Sequence, residues 1–189
     1  MNQNHIRCAW VTNDPIYIHY HDYEWGQPQY DSLKLFEKIC LEGQQAGLSW
    51  ITVLKKRDEY RRCFFNFDPY KIINMTQNDI DKLIQNPGLI RHRLKLNAII
   101  KNAQAYLVMQ NNGEDFGKFI WSFVDGKPII NDYQNIHEIP TRTVISRQMS
   151  IALKKKGFVF VGETICYAFM QSMGLVNDHL VDCYYRCFK

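Results

Sequence analysis

The sequence predicts an all-α fold, folded as one globular unit over residues 1–189. Apolar residues recur at helical spacing through most of the chain, sustained strand alternation is scarce, and polar caps precede several apolar runs. A chain of 189 residues with 46% hydrophobic content can bury a substantial core. No repeat, low-complexity stretch or linker divides it.

Taken in order, Asp31 and Ser32 can cap a helix that places Leu33, Phe36, Ile39 and Cys40 on one face. A glycine-containing stretch, Glu42-Gly43-Gln44-Gln45-Ala46-Gly47, follows it, and a further apolar run starts at Leu48. Asp68 before Pro69, and Thr76 three residues before Asp79, are start signals for two short helices. Ile80 to Ile84 leads into Asn86-Pro87-Gly88, after which Ile90, Leu94, Ala98 and Ile99 keep helical spacing to about Val108. Residues 76–108 therefore read as helix, tight hairpin, helix. Glu163 to Met173 forms an apolar helix stopped by Gly174. The interval 125–143 reads as the least structured.

Net charge is +4, and it is unevenly spread. Residues 82–113 contain no acid but carry Lys82, Arg91, Arg93, Lys95 and Lys101; residues 141–162 repeat the pattern with Arg142, Arg147 and Lys154 to Lys156. Such clusters suit a polyanionic partner or a solvated basic face. Met1 to Trp10 lacks the apolar core of a signal peptide, and no apolar run reaches transmembrane length, so a cytoplasmic protein without a membrane partner is expected. In that reducing compartment the six cysteines read as buried thiols or metal ligands rather than a disulfide framework.

Three constellations carry chemistry. The first is the hairpin, where a glycine turn at Gly88 and the cations Arg91, Arg93 and Lys95 offer amides and charge to phosphates. An ordinary helical hairpin with a basic face fits the same residues. The second is Cys8 and His21 near one end, with His179 and Cys183 near the other, spaced by four as on one helix face. A Cys2His2 set suits one structural Zn2+ joining residues 8–21 to 179–183, with no open position for water. Buried thiols and satisfied histidines fit the spacing equally, and His19 and Cys187 are competing candidates. The third is aromatic: Trp10, Tyr17, Tyr20, Trp25 and Trp50 with the carboxylate of Glu42. Rings stack on a purine and attract a cationic one, and a carboxylate accepts from its amine edge. Core aromatics beside a surface glutamate are the plain alternative.

The segments Cys8-Ala9-Trp10, Asp14 to Gly26, Leu41 to Trp50 and Gly174 to His179 resemble the signatures of the 3-methyladenine DNA glycosylase I family, a group of helix-hairpin-helix glycosylases. The likeness runs from about Cys8 to Cys183. It implies that Cys8, His21, His179 and Cys183 hold zinc and that Glu42 recognises the base. It further implies that Tyr20 and Trp50 stack on the base, with Trp10, Tyr17 and Trp25 lining the pocket. Gly47 and Leu48 fall where the family wedges the duplex. Pro87 stands where the family carries a small residue such as Ala.

The function so implied is hydrolysis of the N-glycosidic bond of 3-methyladenine in double-stranded alkylated DNA, by a monomer that flips the nucleotide into the pocket. Free 3-methyladenine is the product. The helix after the hairpin carries no acid, so Glu42 is the catalytic candidate through recognition and electrostatic support. No lysine suggests a lyase step. A non-catalytic, zinc-stabilised protein that binds damaged DNA is the alternative, and it has no need of the pocket set.

Overall fold

The structure, a computed structural model, describes residues 5–187. Short polar caps set its helix starts. α1 (Pro15–Tyr23) begins under Asp14, whose carboxylate accepts from the Ile16 amide, with Pro15 where no amide is needed. α2 (Ser32–Gln45) starts the same way under Asp31, which accepts from the Lys34 amide. α3 (Trp50–Leu54) and α4 (Arg57–Cys63) follow, then α5 (Pro69–Ile72) behind the Asp68 cap. α6 (Gln77–Leu83) carries the expected Thr76–Asp79 capping box. α7 (Arg93–Asn111), α8 (Phe116–Trp121), α9 (Val144–Lys155) and α10 (Glu163–Ser172) complete the helices.

α2 lies at the centre, packed on α3, α7, α8 and α10, while α9 packs on α10 and α5 on α7. It contributes Leu35, Phe36, Ile39 and Leu41 to a core shared with Leu96, Ile99 and Ala103 of α7 and Tyr167, Phe169 and Met170 of α10. Each fully buried side chain of this kind is worth about 1.5–3 kcal/mol. Because neighbours surround α2, its polar residues Lys38, Glu42 and Gln44 are buried as well. Among the described residues no helix is long and apolar enough to cross a membrane.

The structure departs from the sequence expectation in four places. A parallel pair, β1 (Ile129–Ile130) and β2 (Val176–Asn177), interrupts an otherwise helical chain. The interval 125–143 is less irregular than expected, since it holds β1 and a single 3-10 turn, Ile136–Glu138. Leu33 and Leu94 are 50% and 65% exposed. Each stands two positions before a core leucine, Leu35 or Leu96, and so about 200° away round its helix. Finally, α7 starts at Arg93, beyond the glycine turn, with the His92 ring as its cap. The Gly88 amide is used locally, donating to the Asn86 side chain at 2.8 Å.

Gly174 ends α10 at φ +69°, and a Cβ there would lie 2.4 Å from the Pro28 nitrogen. Gly47 has φ +79° with nothing within 4 Å of its Cβ position. Gly47→Ala should therefore cost only the left-handed backbone penalty, about 1–2 kcal/mol, while Gly174→Ala adds a clash with backbone. Urea unfolding of both variants checks this: the expected result is a loss at Gly174→Ala at least about twice that at Gly47→Ala.

Candidate active site

α1 and the turn after it carry one wall of a cavity of about 320 Å³, and α2 and α3 carry its floor. Trp10, Tyr17, Tyr20, Trp25, Glu42 and Trp50, the six residues expected to form a base pocket, all line it. The Trp10 ring centre lies 4.9 Å from that of Tyr17 and 5.1 Å from that of Trp25, while Tyr20 and Trp50 are 5.6 Å apart. The opposite wall comes from segments to which the sequence reading assigned no role. Ile136, Ile139 and Pro140 belong to the interval 125–143, and Tyr167, Gln171 and Ser172 to α10. Tyr167 and Gln171 are held from behind by buried Asp178, which accepts from the Tyr167 hydroxyl at 2.7 Å and the Gln171 amide at 2.8 Å. Their i, i+4 spacing on an apolar helix was the available signal.

Glu42 is 2% exposed, not a surface glutamate. Its Oε1 lies 3.2 Å from the Lys38 ammonium one turn earlier on α2. Among the described residues its Oε2 has no hydrogen-bond partner, and neither has the buried Nε1 of Trp50. Burial pushes the Glu42 carboxyl above its ordinary range, and Lys38 pulls it back. The cavity thus presents aromatic faces, one acceptor and one donor with no protein partner. That combination suits a flat heterocycle carrying an amine.

A cluster of Cys8, His21, His179 and Cys183 backs this wall, all buried, with their ligand atoms within 4.8 Å of one another. Sulfur to nitrogen separations are 3.6 Å for Cys8 to His179, 3.3 Å for Cys183 to His179 and 3.5 Å for Cys183 to His21. Bonds of about 2.3 Å to sulfur and 2.0 Å to nitrogen at a tetrahedral ion give sulfur-to-nitrogen edges of about 3.5 Å. The donors therefore fit a metal ion. His21 turns Nε2 toward the cluster and Nδ1 toward Asp22 at 2.8 Å, and Asp22 is clamped by the Arg7 guanidinium. The Cys183 thiol is pulled well below its ordinary value by its hydrogen bond to Cys8 and then by His179 and His21. His179 and Cys183 do not share a helix face, however. They lie on the chain after β2, where the Cys183 amide donates to the Leu180 carbonyl at 2.9 Å. His19 and Cys187 are exposed and outside the cluster. Adjacent residues divide the labour on α1, since Tyr20 faces the cavity and His21 the cluster.

The expected DNA contacts separate. Leu48 is exposed beside Gly47, outside the cavity lining. Arg91 and Arg93 are exposed, Arg93 paired with Asp81. Lys95 is not a surface cation: it is 6% exposed, and its ammonium donates to the carbonyls of Gln44 at 2.8 Å and Ala46 at 2.6 Å. The Gln44 amide donates back to the Lys95 carbonyl at 2.9 Å. Two residues after Arg93, Lys95 has turned about 200° round α7 onto the α2 side.

The sequence model of a family described as Methyladenine glycosylase matches residues 10–187. A DNA-3-methyladenine glycosylase of Haemophilus influenzae is 67% identical over 177 residues, 94% of this chain and 96% of the relative. A crystal structure of 3-methyladenine DNA glycosylase I superposes with a TM-score of 0.94 at 60% identity, covering 95% of this chain and 98% of the other. A Tyr-to-Phe variant of a 3-methyladenine DNA glycosylase I, in complex with 3-methyladenine, superposes with a TM-score of 0.91 at 43% identity, covering 96% and 97%.

Lys95→Ala should leave the two α2 carbonyls without their donor and cost about 1–3 kcal/mol of stability. Arg91→Ala should stay within about 0.5 kcal/mol of the parent. Urea unfolding distinguishes them, and equal losses would return Lys95 to the surface set.

Proposed function

The chain belongs to the methyladenine glycosylase family, and from that membership we propose that it removes 3-methyladenine from alkylated DNA by hydrolysing the N-glycosidic bond. The observation that carries this reading is Glu42, buried at the cavity floor among the rings of Tyr20 and Trp50 with Oε2 free of protein partners. The reacting carbon is hidden in a duplex, so the nucleotide must be flipped out, at a cost of a few kcal/mol. The aromatic rings then stack on the base, and Glu42 accepts from its amine edge.

A methylated adenine in DNA is cationic and departs neutral, so its departure needs little acid catalysis. α7 contains no Asp or Glu that could serve an oxocarbenium-like sugar. Glu42 therefore acts by recognition and by the field it sets at the base. Among the described residues no lysine lines the cavity, which supports hydrolysis without a lyase step. A protein that only bound damaged DNA would not need a desolvated carboxylate in an aromatic cavity.

We assign one structural zinc to Cys8, His21, His179 and Cys183. All four tetrahedral positions are taken by protein, so the ion would stiffen the wall formed by Trp10, Tyr20 and Trp25 and activate no water. α6, the turn at Gly88 and α7 serve as a helix-hairpin-helix grip on the phosphate backbone, through Arg91 and Arg93 without Lys95. Gly47 and Leu48 wedge the duplex beside the flipped nucleotide. A monomer suffices for these contacts.

Glu42→Gln keeps the shape of the site, removes the charge and puts an amide donor toward the adenine amine. Single-turnover release of 3-methyladenine from methylated DNA should fall by about 10- to 100-fold, with affinity for undamaged duplex unchanged. Unchanged release would remove Glu42 from the site. Cys183→Ser should lose zinc by metal analysis and melt lower by about 10 °C or more, because a metal bound only by the folded chain stabilises it. Zinc retained at about one per chain with unchanged melting would refute the ligand set.

A further inference from the structure

Lys38 is a buried cation that neither the sequence reading nor the function just proposed has used. Its side chain is 7% exposed. The ammonium sits 3.5 Å from the Trp50 ring centre and 4.7 Å from that of Tyr20, accepts no part in the cavity lining, and donates to the Tyr20 hydroxyl at 2.7 Å. It therefore touches both stacking rings as well as Glu42 without lining the cavity itself.

We propose that Lys38 is a positioning residue of the base site: it ties Glu42 Oε1, balances the carboxylate's charge, and leaves Oε2 to the base. The inference rests on the glycosylase reading and extends it. Breaking a buried ion pair by removing one partner leaves the other charge uncompensated, whereas the pair adds little stability over an apolar pair of the same size. Losing Lys38 therefore bears on the state of Glu42 as well as on the fold. Burial lowers Lys38 to about 8, with Glu42 opposing that drop, so it carries its charge at neutral pH.

The groups around Glu42 leave Lys38 as its counter-charge. Tyr17 and Tyr20 face it from α1 and are neutral, since burial and the carboxylate raise both phenols. Glu24 at the end of α1 and Arg57 of α4 lie near Lys38 but pair with each other. From α10 come the Ser172 hydroxyl, which donates to the Phe169 carbonyl, and Tyr167, which donates to Asp178. Removing the Lys38 charge leaves burial opposed by the Ser172 hydroxyl alone, the weakest of the influences on the carboxyl, and Glu42 then stays protonated, and ineffective, to higher pH. An opposite charge at such a distance moves a carboxyl by about one pH unit or more.

The experiment is single-turnover release of 3-methyladenine from methylated DNA across acid to alkaline pH. It compares the parent with Lys38→Met, Lys38→Gln, Glu42→Gln and the Lys38→Met, Glu42→Gln double variant. On the acid side the methylated nucleotide keeps its positive charge, so the acid limb reports protein groups. The expected result is a limb moved to higher pH by about one unit or more in both Lys38 variants and absent in Glu42→Gln. In that background Lys38→Met should add less than about a twofold change, the mark of two residues acting as a unit. A single cooperative melting transition above the assay temperature, even one below that of the parent, would show that the variants fold. A limb left in place, whether the rate is unchanged or uniformly lower, overturns the inference while the glycosylase reading stands. No release by the parent chain overturns both.

Discussion

The cost of desolvating three polar side chains on one central helix organises this structure. α2 buries Lys38, Glu42 and Gln44 among apolar neighbours, and a buried charge or amide without a partner costs several kcal/mol. Two of them find partners on other elements, and Glu42 pairs with Lys38 one turn earlier on α2. Lys38 reaches the Tyr20 hydroxyl of α1, and Gln44 reaches both the Tyr60 hydroxyl of α4 and the Lys95 carbonyl of α7. These bonds set the register of α1, α4 and α7 against α2 within a core held by apolar contacts. Only one carboxylate oxygen of the three side chains is left over, and it faces the cavity.

The second organising device joins distant parts of the chain. Cys8 and His21 meet His179 and Cys183 across more than 150 residues, as the 171-residue separation of Cys8 and His179 records. Closing a long loop costs entropy that grows only slowly with length, so a strong local site can hold such a closure. Its neighbours share the benefit. The Trp25 ring packs edge-on to His179 at 4.6 Å, and Trp10 meets His21 at 5.2 Å. Cavity wall and cluster are two sides of one aromatic layer.

How much of this was legible in the sequence depended on how local the physics is. Three helix starts were, because Asp31, Asp68 and Thr76 each satisfy amides within three residues of themselves. The pocket aromatics and Glu42 were legible through the family resemblance, which encodes tertiary neighbours that spacing does not. Lys38 was not, because a lone lysine on a helix ordinarily marks its solvent face, and only the enclosure of α2 on all sides reverses that rule. Lys95 was misread for the same reason, amid an acid-free run whose other cations do face solvent. Ile136, Ile139 and Pro140 reach the cavity through the path of a loop anchored by β1, and no periodicity reports such a path.

The reciprocal bonds between Gln44 and Lys95 have one more consequence. They fasten the carboxylate-bearing helix to the first turn of α7, directly beside Arg91 and Arg93. The span from that basic turn to the floor of the cavity is therefore set by two helices packed and hydrogen-bonded to each other. A duplex that engages both ends meets a gauge rather than a clamp. The strain of fitting, with its unstacking and bending, falls on the nucleic acid, and DNA already weakened at one base fits at the smallest cost.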